Sequence, residues 1–137
     1  MLIQPYLFFD GRCEEALDFY GRAIGAQVLN LKRYKDNPEP GSAGPNPPDG
    51  NKIMHASMRI GDSTVMASDG MCRGQTAFRG FSLTLETADD AEASRRFKAL
   101  AEGGEITLPL ARTFFASSFG MLRDRFGVNW MVMGPAA

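Results

Sequence analysis

Lys52-Ile53-Met54-His55-Ala56-Ser57-Met58-Arg59-Ile60-Gly61-Asp62-Ser63-Thr64-Val65-Met66-Ala67-Ser68 is the segment on which the fold turns. Two runs rich in β-branched and apolar residues flank Gly61-Asp62, a dipeptide suited to a tight hairpin. Simple antiparallel register pairs Ile60 with Ser63, which sets Ser57 opposite Met66 and His55 opposite Ser68. Strand side chains alternate between faces. One face therefore collects His55, Ser57, Arg59, Thr64, Met66 and Ser68, and the other Met54, Ala56, Met58, Ile60, Val65 and Ala67. The second set is apolar and predicts a helix packed upon it. The first is mixed and predicts an accessible surface.

Upstream, Leu2–Phe9 reads as a buried strand broken at Asp10-Gly11. Cys13–Ile24 follows, with Ala16, Tyr20, Ala23 and Ile24 at helical spacing, acids in its first turn and Gly25 as its stop. Gln27–Lys35 predicts a second strand. Asp36–Asn51 holds five prolines and three glycines in sixteen residues, a composition that cannot sustain a ladder and predicts a long loop. That loop is either a lid or plain disorder. Met71–Arg79 links to the second half, where Phe81, Leu83 and Leu85 alternate with Ser82, Thr84 and Glu86 as in a half-buried strand. Asp89-Asp90 opens a helix whose apolar face is Ala93, Phe97, Leu100 and Ala101, ended by Gly103-Gly104. Ile106–Arg112, Ser117–Arg123 and Val128–Met133 supply three more strands.

The second half thus repeats the first in element order. An offset of 77 places Ala16 on Ala93, Tyr20 on Phe97 and Pro5 on Ser82, and an offset of 65 places Val65 on Trp130 and Met66 on Met131. The expected class is α+β: two βαβββ modules, about 1–70 and 78–135, within one domain spanning 1–137.

Composition narrows the function classes. The 137 residues suit one domain, and such a chain buries roughly 68% of its unfolded surface without staples. A net charge of −1 with no basic stripe argues against nucleic-acid binding. The N-terminus lacks a basic region followed by an apolar core, and no apolar run reaches the ~18 residues of a membrane span. Cys13 and Cys72 make no disulfide framework, which predicts a reducing, cytoplasmic setting. There is no GxxxxGK[ST] phosphate loop, no GxSxG elbow and no glycine-rich strand–turn–helix.

Ile3-Gln4-Pro5-Tyr6-Leu7-Phe8-Phe9, Glu15-Ala16-Leu17-Asp18-Phe19-Tyr20, Lys52-Ile53-Met54-His55-Ala56, Ser68-Asp69, Phe119-Gly120 and Asp124-Arg125-Phe126-Gly127-Val128-Asn129-Trp130 occur together and in order. Through them the chain resembles PhnB-like proteins of the glyoxalase/bleomycin-resistance (vicinal oxygen chelate) superfamily. The resemblance implies modules whose strands curl into an open cup, and a homodimer. It implies no single reaction, because the superfamily holds lyases, isomerases, epimerases, dioxygenases and drug-binding proteins. PhnB-like members often carry a demethylubiquinone methyltransferase label. The missing nucleotide-cofactor turn counts against that chemistry here.

In metal-using relatives, the first and last strand of each module each supply one ligand, mostly His or Glu and sometimes Gln. The matching set here is Pro5, Met66, Ser82 and Met131, with Gln4 in place of Pro5 if the first strand slips by one. Proline offers no donor, serine a poor one, and thioether favours Cu(I). The usual metal site is therefore expected to be absent, with no cofactor. The leading expectation is a metal-free protein whose small organic ligand contacts His55, Ser57, Arg59, Met66, Ser68, Ser82, Thr84, Gly120, Asn129 and Met131. One alternative is a metal-dependent lyase, isomerase or dioxygenase with an unusual ligand set that includes His55, with Asp69 or Glu86 as partners. Another is a metal-independent enzyme with His55 as general acid/base.

The bland expectation for His55 is a polar residue satisfied by a nearby hydroxyl or backbone group. Asp69 and Glu86 read as loop and rim charges, Cys13 as a buried hydrophobe, Cys72 as an incidental thiol and Trp130 as core. Phe114 and Phe115 fit a pocket mouth or a dimer seam equally. Arg33 and Arg112 are either solvated or face an anionic ligand.

Overall fold

The computed structural model describes residues 1–74 and 76–137. Gln75, inside the expected linker, lies outside them. The described residues divide into two compact units, Met1–Thr76 and Ala77–Ala137, and each is a βαβββ module. The α+β class expected from the sequence is the one observed.

In the first unit the elements are β1 (Tyr6–Phe8), α1 (Cys13–Ile24), β2 (Gln27–Arg33), β3 (Ile53–Ile60) and β4 (Ser63–Ser68), in sheet order β1-β4-β3-β2. β1 runs parallel to β4, and the other pairs are antiparallel. The β3–β4 hairpin has the expected register, Ile60 to Ser63 and Ser57 to Met66. Gly61 takes the positive φ of 58° that its two-residue turn requires. Ala56, Met58, Val65 and Ala67 are buried on the face toward α1. α1 buries Cys13, Ala16, Leu17, Tyr20, Ala23 and Ile24, an i, i+3, i+4, i+7 stripe. Gly25, at φ 70°, ends it: its N–H bonds to the Gly21 carbonyl, and the Ala26 N–H bonds to that of Tyr20.

Two details differ from expectation. β1 is only three residues long; Pro5 still accepts the Met66 N–H at 2.9 Å, and Leu2–Gln4 lies before the paired segment. β2 stops at Arg33, and Tyr34–Asp36 and Pro40–Ala43 form short 3₁₀ turns. The base of the proline-rich loop is zipped by Tyr34 N–H to Lys52 O and Lys35 N–H to Gly50 O, both 3.0 Å.

The second unit contains β5 (Leu83–Glu86), α2 (Asp90–Ala101), β6 (Glu105–Ala111), β7 (Phe119–Arg123) and β8 (Asn129–Met133), in sheet order β5-β8-β7-β6. Asp89 caps α2, its carboxylate accepting the Glu92 N–H at 2.7 Å. Pro109 sits in β6, an edge strand, where a missing N–H costs no ladder bond. The core holds Ala93, Phe97, Leu100, Leu122, Trp130 and Val132. Phe81, expected to face the helix, is instead 46% exposed, because it precedes the paired part of its strand.

Both units use a buried carboxylate as a knot. In the first, Asp69 accepts N–H bonds from Gly11 and Cys13 through one oxygen and from Ile53 through the other, at 2.7–2.9 Å. It is 2% exposed, so the expectation of a loop charge is corrected. In the second, Asp124 accepts from Phe126 N, Val128 N and Trp130 Nε1 at 2.9–3.0 Å. Each ties a turn to a strand with its carboxylate while its own N–H also bonds across, Asp69 to the Ile53 carbonyl and Asp124 to that of Val128.

Three outcomes follow from this packing. Asp124→Ala strands those donors and should cost about 2–4 kcal/mol in urea unfolding. Gly120 packs under α2, where an added Cβ would lie 2.7 Å from Phe97 Cε2, so Gly120→Val should cost about 1–3 kcal/mol with the fold retained. Asp90 accepts hydroxyl bonds from Ser117 and Ser118, which hold its carboxyl below its ordinary range. A depressed folded value stabilises above the unfolded value of about 4 and is lost as pH falls through the folded one. Asp90→Asn should therefore narrow the Tm difference between neutral and acid buffers.

Candidate functional site

The sheet face turned away from α1 carries Tyr6, Phe8, His55, Ser57, Arg59, Thr64 and Met66, by the register of β1, β3 and β4. The hydroxyl of Tyr6 lies 3.0 Å from His55 Nδ1. Their rings are 5.6 Å apart, and Tyr6 stacks on Phe8 at 4.9 Å. The phenol is the better donor of the two neutral groups, which assigns Nδ1 as acceptor and leaves the imidazole proton on Nε2. Arg59 Nη2 donates to Gln27 Oε1 at 2.7 Å. Ser68 shares this face by alternation but is 2% exposed, its Oγ accepting the Gly70 N–H.

In the second unit Ser82, Thr84, Asn129 and Met131 line one open depression of about 550 Å³, together with Phe81, Thr107 and Met121. Thr84 pairs with Met131 and Met131 with Met121 across neighbouring strands, so the two thioethers lie side by side. Asn129 Nδ2 donates to the Phe78 carbonyl at 2.7 Å, an orientation that leaves Oδ1 as its acceptor. Four of the residues singled out from the sequence thus meet in one place. Gly120 does not join them. It is buried beneath Phe97 on the helix side.

The registers also correct the repeat. Tyr6 stands opposite Met66 and Thr84 opposite Met131, so the first strands are displaced by one residue from the helix alignment. The counterpart of Ser82 is Gln4, not Pro5. Phe8, Thr107 and Met121 were missed by sequence reasoning, and Tyr6 was quoted without a role. Alternation from Met66 through a parallel partner strand would have found Tyr6.

The donor set at the superfamily's ligand positions becomes Gln4, Met66, Ser82 and Met131. One amide oxygen, one alcohol and two thioethers do not fit a borderline or hard divalent cation. Among the described residues no three His, Cys, Asp or Glu side chains come together. Asp69 has both oxygens committed to backbone N–H groups, and Glu86 ends β5 opposite Met133.

Other candidates resolve plainly. Arg33 clamps Glu14 through both terminal nitrogens and donates to Asn51 O, so it is not poised for an anion. The Cys13 thiol is fully buried, and burial, aided by Asp69 and Glu14, pushes its pKa far up. Phe114, Phe115 and Phe119 form an edge-to-face ladder at 5.0–5.1 Å, with Phe114 95% exposed. Among the described residues no helix is long and apolar enough to cross a membrane.

Comparison with known proteins agrees with this architecture. Residues 2–133 match the family model described as 3-demethylubiquinone-9 3-methyltransferase, and the chain belongs to that family. It is 37% identical to the protein YjdN of Escherichia coli, over 96% of this chain and 94% of that one. The crystal structure of the protein PA1353 from Pseudomonas aeruginosa shares 42% identity, with a TM-score of 0.85 over 98% and 97% of the two chains. The PhnB protein of Bacillus cereus follows at 26% identity and 0.81, over 98% and 100%. In fold alone, a glyoxylase/bleomycin resistance protein/dioxygenase domain from Frankia superposes with a TM-score of 0.66 at 15% identity, over 98% and 90%.

Tyr6→Phe should move the His55 ring ¹⁵N resonances from a clean Nε2–H pattern to a mixture of tautomers, with the fold intact by circular dichroism. The donor chemistry predicts that protein purified without chelators carries substoichiometric zinc, nickel, manganese and iron, and that EDTA leaves its Tm unchanged.

Proposed function

We propose that the protein binds a small organic molecule on the sheet faces turned away from its helices, without a metal ion, as a cytoplasmic homodimer. The observation that carries this is the depression lined by Ser82, Thr84, Asn129, Met121 and Met131. Its donors and acceptors are neutral, its floor is thioether, and thioethers adapt to varied apolar shapes. His55, Ser57, Arg59 and Met66 offer a second, more polar surface of the same kind.

Each sheet contains one parallel pair, not the doubly wound parallel arrangement that cradles nucleotide-type cofactors. This supports binding over the methyl transfer in the family's description. The homodimer is supported by the apolar side chains exposed on edge strands β2 and β6, with Val28, Leu29, Ile106 and Leu108 each 42–53% exposed. The compartment is supported by two unpaired cysteines. A second reading, a metal-independent enzyme with His55 as proton carrier, is favoured by the Tyr6–His55 bond.

A thermal-shift screen against neutral and charged metabolites tests the binding reading. At least one compound should raise Tm and perturb the Met121 and Met131 methyl resonances, with affinity falling about tenfold in Met131→Ala. A screen in which nothing binds at either face would falsify it.

A further inference from the structure

Charge is not spread evenly over the first unit. On the face away from α1, Lys32 stands beside His55, Asn30 beside Ser57 and Gln27 beside Arg59, and cross-strand partners project to the same side. Among the described residues, the ionisable side chains that the strand register places on that face are Lys32, Arg59, His55 and Tyr6. The carboxylates of β1–β4 and α1 lie elsewhere. Asp69 is buried in its three backbone bonds, Asp10 accepts the Gly74 N–H, Glu14 holds Arg33, Glu15 holds Arg12, Asp18 is on the helix and Asp62 is in the hairpin turn. Arg59 is oriented by the neutral Gln27 amide, which leaves its charge uncompensated. Among the described residues neither Arg59 nor Lys32 forms an ion pair.

An aromatic surface adjoins these cations. Phe8 is 50% exposed and stacks with Tyr6, which in turn touches the imidazole. Because the Tyr6 hydroxyl occupies Nδ1, Nε2–H is the donor left on His55, whose cross-strand partner is Lys32. One row across the sheet then runs from an apolar ring through a neutral donor to an ammonium.

We propose that this row, Phe8, His55 and Lys32 with Tyr6 fixing the imidazole, is a binding site for a small aryl carboxylate. The carboxylate oxygens take the His55 Nε2–H and the Lys32 ammonium, a charge-assisted pair, and the flat body lies on Phe8 and Tyr6. Arg59, farther along β3, adds to the positive field that draws the anion in. The inference rests on the binding reading above and names a ligand class for its first-unit surface.

His55 is the one histidine of the sequence, so its ring resonances report on this site alone. Phenylacetate, phenylacetamide and inorganic phosphate serve as probes, followed at His55 and, in the other unit, at the Met131 methyl. Phenylacetate should shift His55 saturably, with the amide weaker by about tenfold or more. Lys32→Gln, an exposed substitution, should reduce phenylacetate affinity by a similar factor at unchanged Tm. Equal responses to acid and amide would overturn the proposal, as would phosphate matching phenylacetate or Lys32→Gln leaving affinity unchanged. Probes that move Met131 but not His55 would overturn it and leave the binding reading standing. Failure of that broader reading is a different result: no compound of the wider screen perturbs either unit.

Discussion

Each module is held by a carboxylate that water does not reach. Three backbone N–H groups converge on Asp69, and two backbone groups and an indole N–H converge on Asp124. Turns that leave a sheet carry amides with no ladder partner, and burying such groups unpaired costs free energy comparable to a lost hydrogen bond. An ionised carboxylate answers several of them at once and is itself tolerated in the interior because they answer it. Asp69 in this way fixes the start of α1 relative to β3. α1 in turn covers the apolar face of the sheet.

With one face committed to a helix, strand alternation leaves the opposite face to carry chemistry. The two units have used it differently. The first presents a tyrosine–histidine pair among cations and an exposed phenyl ring. The second presents hydroxyls, an amide and neighbouring methionines around a depression. Among the described residues the first face carries an imidazole, His55, without a carboxylate, and the second a carboxylate, Glu86, without an imidazole, so neither gathers the mixed donor set expected at the ligand positions. Family membership therefore fixes the architecture more firmly than it fixes a reaction.

Much of this was legible in the residues. Both helices were readable from their 3.6-residue spacing, Gly25 and the Asp89 cap, and the β3–β4 register from a two-residue turn that allows one pairing. What escaped depended on contacts between distant segments. β1 is a parallel partner, so no turn specifies its register, and an alignment carried over from the helices set Pro5 where Gln4 belongs. The same slip hid Tyr6, since a displacement of one residue exchanges the faces of a strand. Asp69 follows a strand and reads as a loop acid. Only the fold brings Gly11, Cys13 and Ile53 around it. Gly120 belongs to a shared motif because a phenyl ring of α2 occupies the space its side chain would fill, not because it faces a ligand.

Met121 and Met131, side by side across β7 and β8, carry a consequence for discrimination. An unbranched thioether can rotate about several bonds at little cost, so a floor made of two of them reshapes itself under whatever rests on it. Such a floor rejects almost nothing by shape. Under the binding reading proposed above, choice between guests comes from the stiffer polar groups at its border, Ser82, Thr84 and Asn129, and changes there would retune it without disturbing the interior.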